Sequence, residues 1–177
     1  MQSKADAATR YEVSSSDSSL VVNARSTLHD VRASTAALTG YLSAGWEPDG
    51  RLAISPEPSM HVEFPLDSVR SGNAIQDREM LKMADARRFP KAAADLRSVE
   101  PVAAPARYKA TGDITLAGRS RSYSGEFSIA RAEGGVTVEG EIGVDIRDFG
   151  LKPPNLLILK VDPVLRVRLR LLARRAE

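Results

Sequence analysis

Apolar and polar residues alternate along most of the chain, in short segments bounded by glycine, proline, asparagine or aspartate. A period of two places successive side chains on opposite faces of an extended strand, so the pattern predicts strands with one buried and one solvated face. In residues 60–66, for example, Met60, Val62 and Phe64 share one face and His61 lies on the other. The remaining predicted strands cover residues 11–13, 20–26, 34–44, 51–55, 93–99, 108–116, 122–130, 136–146, 156–161 and 165–173, with a kink or bulge at Asp162-Pro163.

Residues 73–89 break this alternation. Apolar side chains such as Ile75 and Met80 recur there at helical spacing, which predicts one helix, with Asp77 as its N-cap and Pro90 as its end. No strand-helix-strand rhythm follows, so a parallel sheet is not expected. The pattern therefore favours an all-β fold, an antiparallel barrel or sandwich, within a single domain covering residues 1–177.

The composition bears on the possible classes of function. The chain has no cysteine, which excludes disulfides, a thiolate nucleophile and a thiolate metal site. His29 and His61 are the only histidines, too few for a typical zinc site, and no serine-hydrolase, zinc-protease or phosphate-loop motif occurs. We therefore expect a protein that is not an enzyme and carries no cofactor and no metal.

The net charge of +2 is small, and the basic excess is concentrated near the end of the chain. Arg166, Arg168 and Arg170 alternate there with leucine and valine, whereas single-stranded nucleic acid is usually bound by basic grooves that also carry aromatic side chains. We interpret these arginines as one solvated strand face and expect no nucleic-acid partner.

The sequence also predicts where the protein resides. No apolar run is long enough to span a membrane, and residues 1–10 lack the apolar core of a secretory signal. As given, the chain is expected to be soluble and cytoplasmic, without stable membrane insertion. A periplasmic or secreted location remains open if a signal has been removed.

Three separated blocks fall in a recognisable order. They are Asp77–Leu81 followed by Arg88–Pro90, then Gly112–Gly118, then Ile146–Leu151. Together they resemble the YceI-like family, over residues of about 11–172, which we take as the ordered core. The resemblance implies an eight-stranded antiparallel lipocalin-like barrel with one short helix between strands, and an apolar lumen that holds a polyisoprenoid or another long-chain lipid.

A barrel of eight strands can be filled by its own side chains or can hold one small ligand, so the volume of the inward residues decides. The inward apolar residues are mostly of medium size, which favours a roomy lumen. Alternation and family position give the following candidate ligand-binding residues: Val22, Leu38, Val62, Phe64, Met80, Leu81, Met83, Phe89, Ile114, Leu116, Phe127, Ile129, Ile142, Val144 and Phe149. Met80, Leu81 and Met83 could form an adaptable lid or ordinary packing between helix and barrel.

Charged residues flank these apolar elements. Asp77, Arg78 and Arg147 are candidates for holding a polar head group, because an arginine binds phosphate or carboxylate with its planar fork. The alternative is a structural salt bridge that joins the helix to the loop at residues 147–148.

The predicted partner is a long-chain apolar small molecule, a polyisoprenoid or a fatty amphiphile. The alternative is a structural or partner-binding barrel with a filled core and no small ligand. Exposed strand edges could also support a homodimer.

Overall fold

The chain folds into a closed barrel built almost entirely of antiparallel strands. The computed structural model describes residues 5–154 and 160–176. The strands are β1 (Thr9–Val13), β2 (Ser19–Ser26), β3 (Val31–Thr35), β4 (Thr39–Ala44), β5 (Ser59–Pro65), β6 (Lys91–Pro101), β7 (Arg107–Leu116), β8 (Arg119–Ala132), β9 (Gly135–Asp145) and β10 (Val161–Arg175), and the helix is α1 (Ala74–Met83). Short 3-10 turns cover Ser15–Asp17, Leu66–Ser68 and Ile146–Phe149.

The barrel closes through its longest strand. The strands follow one another around the sheet in the order β1, β4, β5, β6, β7, β8, β9 and β10, and β10 then pairs back to β1. The end of β10 lies beside β1, whereas its earlier part lies beside β2, which in turn pairs with β3. The prediction of an eight-stranded antiparallel barrel is therefore confirmed, with β2 and β3 as two additional strands.

Two irregularities adjust the faces of the strands. The pairing of β10 with β2 shifts between Val161 and Leu165, as predicted for Asp162-Pro163. The pairing of β6 with β7 shifts between Leu96 and Ser98. Because a one-residue shift turns every later side chain to the other face, Val99 points inward although it is an odd number of positions from Leu96.

Several predicted boundaries were wrong. The predicted strand at residues 34–44 is two strands, because Ala37 donates to Thr35 Oγ1 at 3.0 Å and forms a local turn. Residues 51–55 form only an isolated bridge, between Leu52 and Trp46. Most of the predicted strand at residues 156–161 lies outside the described residues.

The cap and the end of the predicted helix were also wrong. Asn73, not Asp77, is the N-cap, and its side chain accepts hydrogen bonds from the backbone N–H groups of Ile75 and Gln76. The helix stops at Met83, well before Pro90. It is ten residues long, and no helix in the described part of the chain is long and apolar enough to cross a membrane.

The two ends of the barrel are built differently. At one end, which we call the packed end, the interior is filled by a cluster that includes Tyr11, Trp46, Tyr108 and Leu171. The indole N–H of Trp46 donates to the Tyr11 hydroxyl at 3.2 Å, and the Tyr108 hydroxyl accepts from the backbone of Leu52 at 2.9 Å. The other end, which we call the helix end, lies beside α1, the β7–β8 turn and the Ile146–Phe149 turn.

Candidate functional site

The barrel interior toward the helix end is not filled by side chains. It contains a cavity of about 280 Å³ whose walls come from β2 and from β4 to β10, with α1 across one side. The lining is almost wholly apolar. Beside most of the predicted residues it includes Leu20, Leu42, Met60, Leu66, Val69, Leu96, Val99, Val138, Ile146, Leu165, Val167 and Leu169.

Small residues at inward positions account for the open space. Ala92 and Ala94 of β6 pair with Phe64 and Val62 of β5, and Ala110 of β7 lies opposite another small residue of β8. Each alanine puts only a methyl group where an aromatic or branched residue would fill the lumen. The strand pattern that fills the packed end therefore leaves a cavity here.

The ring of Phe127 lies against the wall rather than across the lumen. Phe127 of β8 pairs directly with Gly140 of β9, and a Cβ atom added at Gly140 would lie 2.3 Å from the ring. A Cβ at Gly125 would lie 2.4 Å from Cγ2 of Ile142. Only glycine at these two positions lets the larger side chains lie flat, and this keeps the space free.

The helix α1 covers the cavity without being deeply packed. Met80, Leu81 and Met83 line the cavity, yet no residue within Ala74–Met83 is buried. Methionine is unbranched and flexible, so such a cover can adapt to contents of different shape.

One tyrosine places a polar group at the wall. The Tyr123 hydroxyl donates to Asp148 Oδ2, and the ring stacks on Phe149 with 6.1 Å between centroids. Burial, followed by the hydrogen bond to Asp148, raises the pKa of Tyr123 to about 12, so it is a neutral donor at ordinary pH. Sequence reasoning missed Tyr123, although it alternates with Phe127 and Ile129 on the inward face of β8.

The structure does not bring the three head-group candidates together. Asp77 lines the cavity, but its Oδ1 accepts from the backbone N–H and the hydroxyl of Ser71, at 2.9 and 2.7 Å. Arg78 is exposed on the outer side of α1. Arg147 forks onto Asp145, with Nη2 and Oδ2 2.7 Å apart, and this hydrogen bonding holds the pKa of Asp145 below its usual value. Among the described residues, no ion pair joins α1 to the turn that contains Arg147.

Most of the predicted lumen residues lie on the cavity wall. These are Val22, Val62, Phe64, Met80, Leu81, Met83, Ile114, Leu116, Phe127, Ile129, Ile142 and Val144. Leu38 and Phe149 are instead fully buried, Leu38 in the packed cluster. Phe89 lies outside, with its ring against Gly118. Leu38 lies in the break between β3 and β4, and Phe89 and Phe149 lie beyond the ends of strands. The alternation that orients a strand therefore does not apply to them.

The histidines lie away from the cavity. His61 is on the outer face of β5, where Nδ1 is 2.6 Å from Asp95 and Nε2 is 3.3 Å from Glu63. The hydrogen bond to Asp95, with that to Glu63, raises the pKa of His61. His29 is exposed in the β2–β3 turn. Within the described residues, no cluster of three or more histidine or acidic side chains could hold a metal ion.

Comparison with solved structures shows the same fold in other proteins. Burkholderia cenocepacia BcnA is similar with a TM-score of 0.74 and 14% identity, covering 91% of this chain and 99% of that one. A polyisoprenoid binding domain from Saccharophagus degradans, implicated in plant cell wall breakdown, has a TM-score of 0.73 and 15% identity, covering 94% and 98%. The Campylobacter jejuni YceI protein has a TM-score of 0.64 and 16% identity, covering 85% and 88%.

Sequence comparison assigns the family. No curated protein matches the chain significantly. The family model described as the YceI-like domain matches residues 11–173, which include every strand of the barrel apart from the outermost residues of β1 and β10. The chain therefore belongs to the family of YceI-like domains.

Proposed function

We propose that this protein is a non-catalytic binding protein that holds a long-chain apolar molecule, a polyisoprenoid or another lipid, in the cavity beneath α1. The observation that carries the proposal is the cavity of about 280 Å³ with an almost wholly apolar lining. Apolar cavities of about 150 Å³ already accept a benzene molecule, so this one has room for a longer hydrocarbon segment.

The energetics of such a ligand need no specific recognition. Burial of each methylene group contributes about 0.8 kcal/mol, so a chain of several carbons binds tightly through the wall alone. Because the wall offers few polar partners, it discriminates weakly between hydrocarbon chains of similar width. We therefore expect high affinity and low selectivity.

A full-length isoprenoid chain exceeds the volume of the cavity. Part of it then extends past the rim at the helix end, or α1 moves outward to make room. The second possibility is supported by the absence of buried residues in α1 and by its two methionines at the cavity, Met80 and Met83. The Saccharophagus degradans structure, described as a polyisoprenoid binding domain, supports this ligand class.

The test is native mass spectrometry of gently purified protein, with organic extraction and mass analysis of whatever is released. We expect a bound long-chain lipid, or uptake of an added isoprenoid. A clean apo mass together with no uptake would overturn the proposal in favour of a structural barrel without a small ligand.

A matched pair of variants locates the site. Ala94 faces the cavity, so Ala94→Phe places a ring in the lumen and is expected to lower lipid uptake. Ala130 adjoins the inward Ile129 on β8 and faces outward, so Ala130→Phe is the control and should bind as the wild type does. Equal uptake by both variants would place any bound lipid elsewhere.

A further inference from the structure

The helix end of the barrel exposes large apolar side chains. Leu28, in the β2–β3 turn, is 68% exposed, and Ile75, on α1, is 65% exposed. Single exposed apolar residues are common on soluble proteins. Here, however, the two most exposed ones come from separate elements and lie at the same end of the barrel, beside the cavity.

Basic side chains lie near both of them. On α1 the exposed positions Ile75, Arg78 and Lys82 recur at i, i+3 and i+7, and they form one outer face opposite the side that lines the cavity. This face combines an apolar side chain with two cations, of which Lys82 also contacts Glu79 at 3.4 Å. Arg25 is exposed three residues before Leu28, and the neighbouring Thr27 donates its backbone N–H to the Lys160 carbonyl at 3.1 Å.

Further arginines extend the basic surface around the rim. Arg87 follows α1 and is exposed. Arg119 and Arg121 begin β8 on the side of the strand that further along faces the lumen, and both are exposed at the rim. Arg121 donates to the backbone oxygen of Ser120 at 2.9 Å rather than to a carboxylate, so its charge remains available.

At the packed end, more of the positive charge is paired with carboxylates. Glutamates at positions 57, 100 and 133 are exposed there. Arg51 pairs with Asp49 at 2.7 Å, and Arg174 pairs with Asp17 at 3.0 Å. Among the described residues, cations without a carboxylate partner, such as Arg78, Arg87 and Arg121, are therefore more numerous toward the helix end.

We propose that the helix end is a docking face for a lipid bilayer that contains anionic lipids. Anionic headgroups attract the basic rim, and each lysine or arginine near such a surface strengthens binding about fivefold. Leu28 and Ile75 then enter the boundary between headgroups and acyl chains, as the apolar side chains of interfacial helices do. The occupant is a bilayer surface rather than a protein, because the two exposed apolar side chains come from separate elements and have exposed basic side chains near them.

Docking at this end has a consequence that rests on the proposed function. The face that meets the bilayer is the outer face of the helix that covers the cavity. An apolar ligand therefore passes between bilayer and lumen without crossing water, which would otherwise oppose its transfer.

The experiment is co-sedimentation with phosphatidylcholine vesicles, with and without phosphatidylglycerol, at low and high salt. We expect wild-type protein to bind the vesicles that contain phosphatidylglycerol and to bind neutral vesicles weakly. High salt should release the protein from the anionic vesicles, because it screens the charges. Arg87→Glu with Arg121→Glu should weaken binding at least about tenfold, and Leu28→Ser with Ile75→Ser should also weaken it.

Matched variants at the packed end are the controls. Lys109→Glu with Arg175→Glu makes the same change in net charge, and Ile54→Ser removes the 40% exposed isoleucine of that end. Both should bind as the wild type does. Failure of the wild-type protein to bind anionic vesicles, or equal losses at both ends, would overturn the docking face.

Lipid content separates this proposal from the previous one. If the protein carries an extractable lipid but does not bind anionic vesicles, the docking proposal is wrong and the proposed binding function is still supported. Protein that binds the vesicles through the rim but neither carries nor takes up lipid would support docking and overturn the binding function.

Discussion

The packed end and the helix end of this barrel share one strand pattern and differ in what fills them. At the packed end, Tyr11, Trp46 and Tyr108 fill the interior, where Trp46 donates to the Tyr11 hydroxyl and the Leu52 backbone donates to the Tyr108 hydroxyl. Toward the helix end, the corresponding inward positions of β6 hold Ala92 and Ala94, and the interior stays open. Alternation determines which side chains point inward, and the volume of those side chains determines whether a barrel end forms a packed core or a cavity.

The largest effect is expected at the packed end. Trp46→Ala removes a side chain that is only 2% exposed and donates a hydrogen bond to the Tyr11 hydroxyl, so the free energy of unfolding should fall by about 3–5 kcal/mol. Met80→Ala on the cover of the cavity should cost about 1 kcal/mol or less, since Met80 is not buried. Urea unfolding measures both, and equal losses would mean that the two ends are packed alike.

A side chain at Gly140, beneath Phe127, should lower the unfolding free energy less than Trp46→Ala does, but it should reduce lipid uptake. Gly140→Ala puts a Cβ 2.3 Å from the Phe127 ring and 2.9 Å from the Glu126 carbonyl, so the ring must move toward the lumen. We expect a loss of about 1–3 kcal/mol in unfolding free energy, together with reduced lipid uptake. In Gly143→Ala on the same strand the new Cβ meets its nearest neighbour, Val164, only at 3.6 Å, so this control should change neither quantity. A Gly140→Ala protein with undiminished uptake would show that the ring does not limit the cavity.

The polar group at the wall should have a smaller effect. Tyr123→Phe keeps the stacked ring but removes the hydroxyl that donates to Asp148, with an expected cost of about 1 kcal/mol. Spectrophotometric titration of the wild type should show a tyrosine with a pKa of about 12, and this component should vanish in the variant. Its persistence would assign the late titration to another tyrosine.

The smallest effect is expected from His61, on the outer face of β5. Hydrogen bonds to Asp95 and Glu63 raise the pKa of His61, so its protonated form stabilises the folded state. This contribution is complete below the unfolded pKa of about 6.5 and is lost as pH rises through the raised folded value. Because the side chain is 30% exposed, we expect less than about 1 kcal/mol. Urea unfolding on both sides of that range should show a weaker pH dependence for His61→Gln than for the wild type, and identical profiles would exclude the role of His61.

The sequence predicted the fold and most of the cavity wall because both follow from alternation. Inward positions such as Val62, Ile114 and Ile142 could be assigned without coordinates, since the strand period fixes their face. Val99 could not, because the irregularity after Leu96 reverses the face and leaves little trace in the pattern.

Side chains outside the strands were harder to place. The sequence suggested that Asp77, Arg78 and Arg147 act together, but each is positioned by local geometry: a hydrogen bond from Ser71, an outward helix face, and an ion pair with Asp145. Short-range contacts of this kind depend on turn conformation, which composition does not specify.

The position of β10 in the chain affects how the protein reaches its native state. This strand follows all the other described strands in sequence, yet it pairs with β1, β2 and β9 and completes the circuit. During synthesis the earlier strands can form hairpins but cannot enclose an interior, so the inner faces of β5 to β9 stay open to water and to other chains until β10 has emerged. Ribosome-bound chains that stop before β10 should therefore be more sensitive to protease and more prone to associate than the completed barrel.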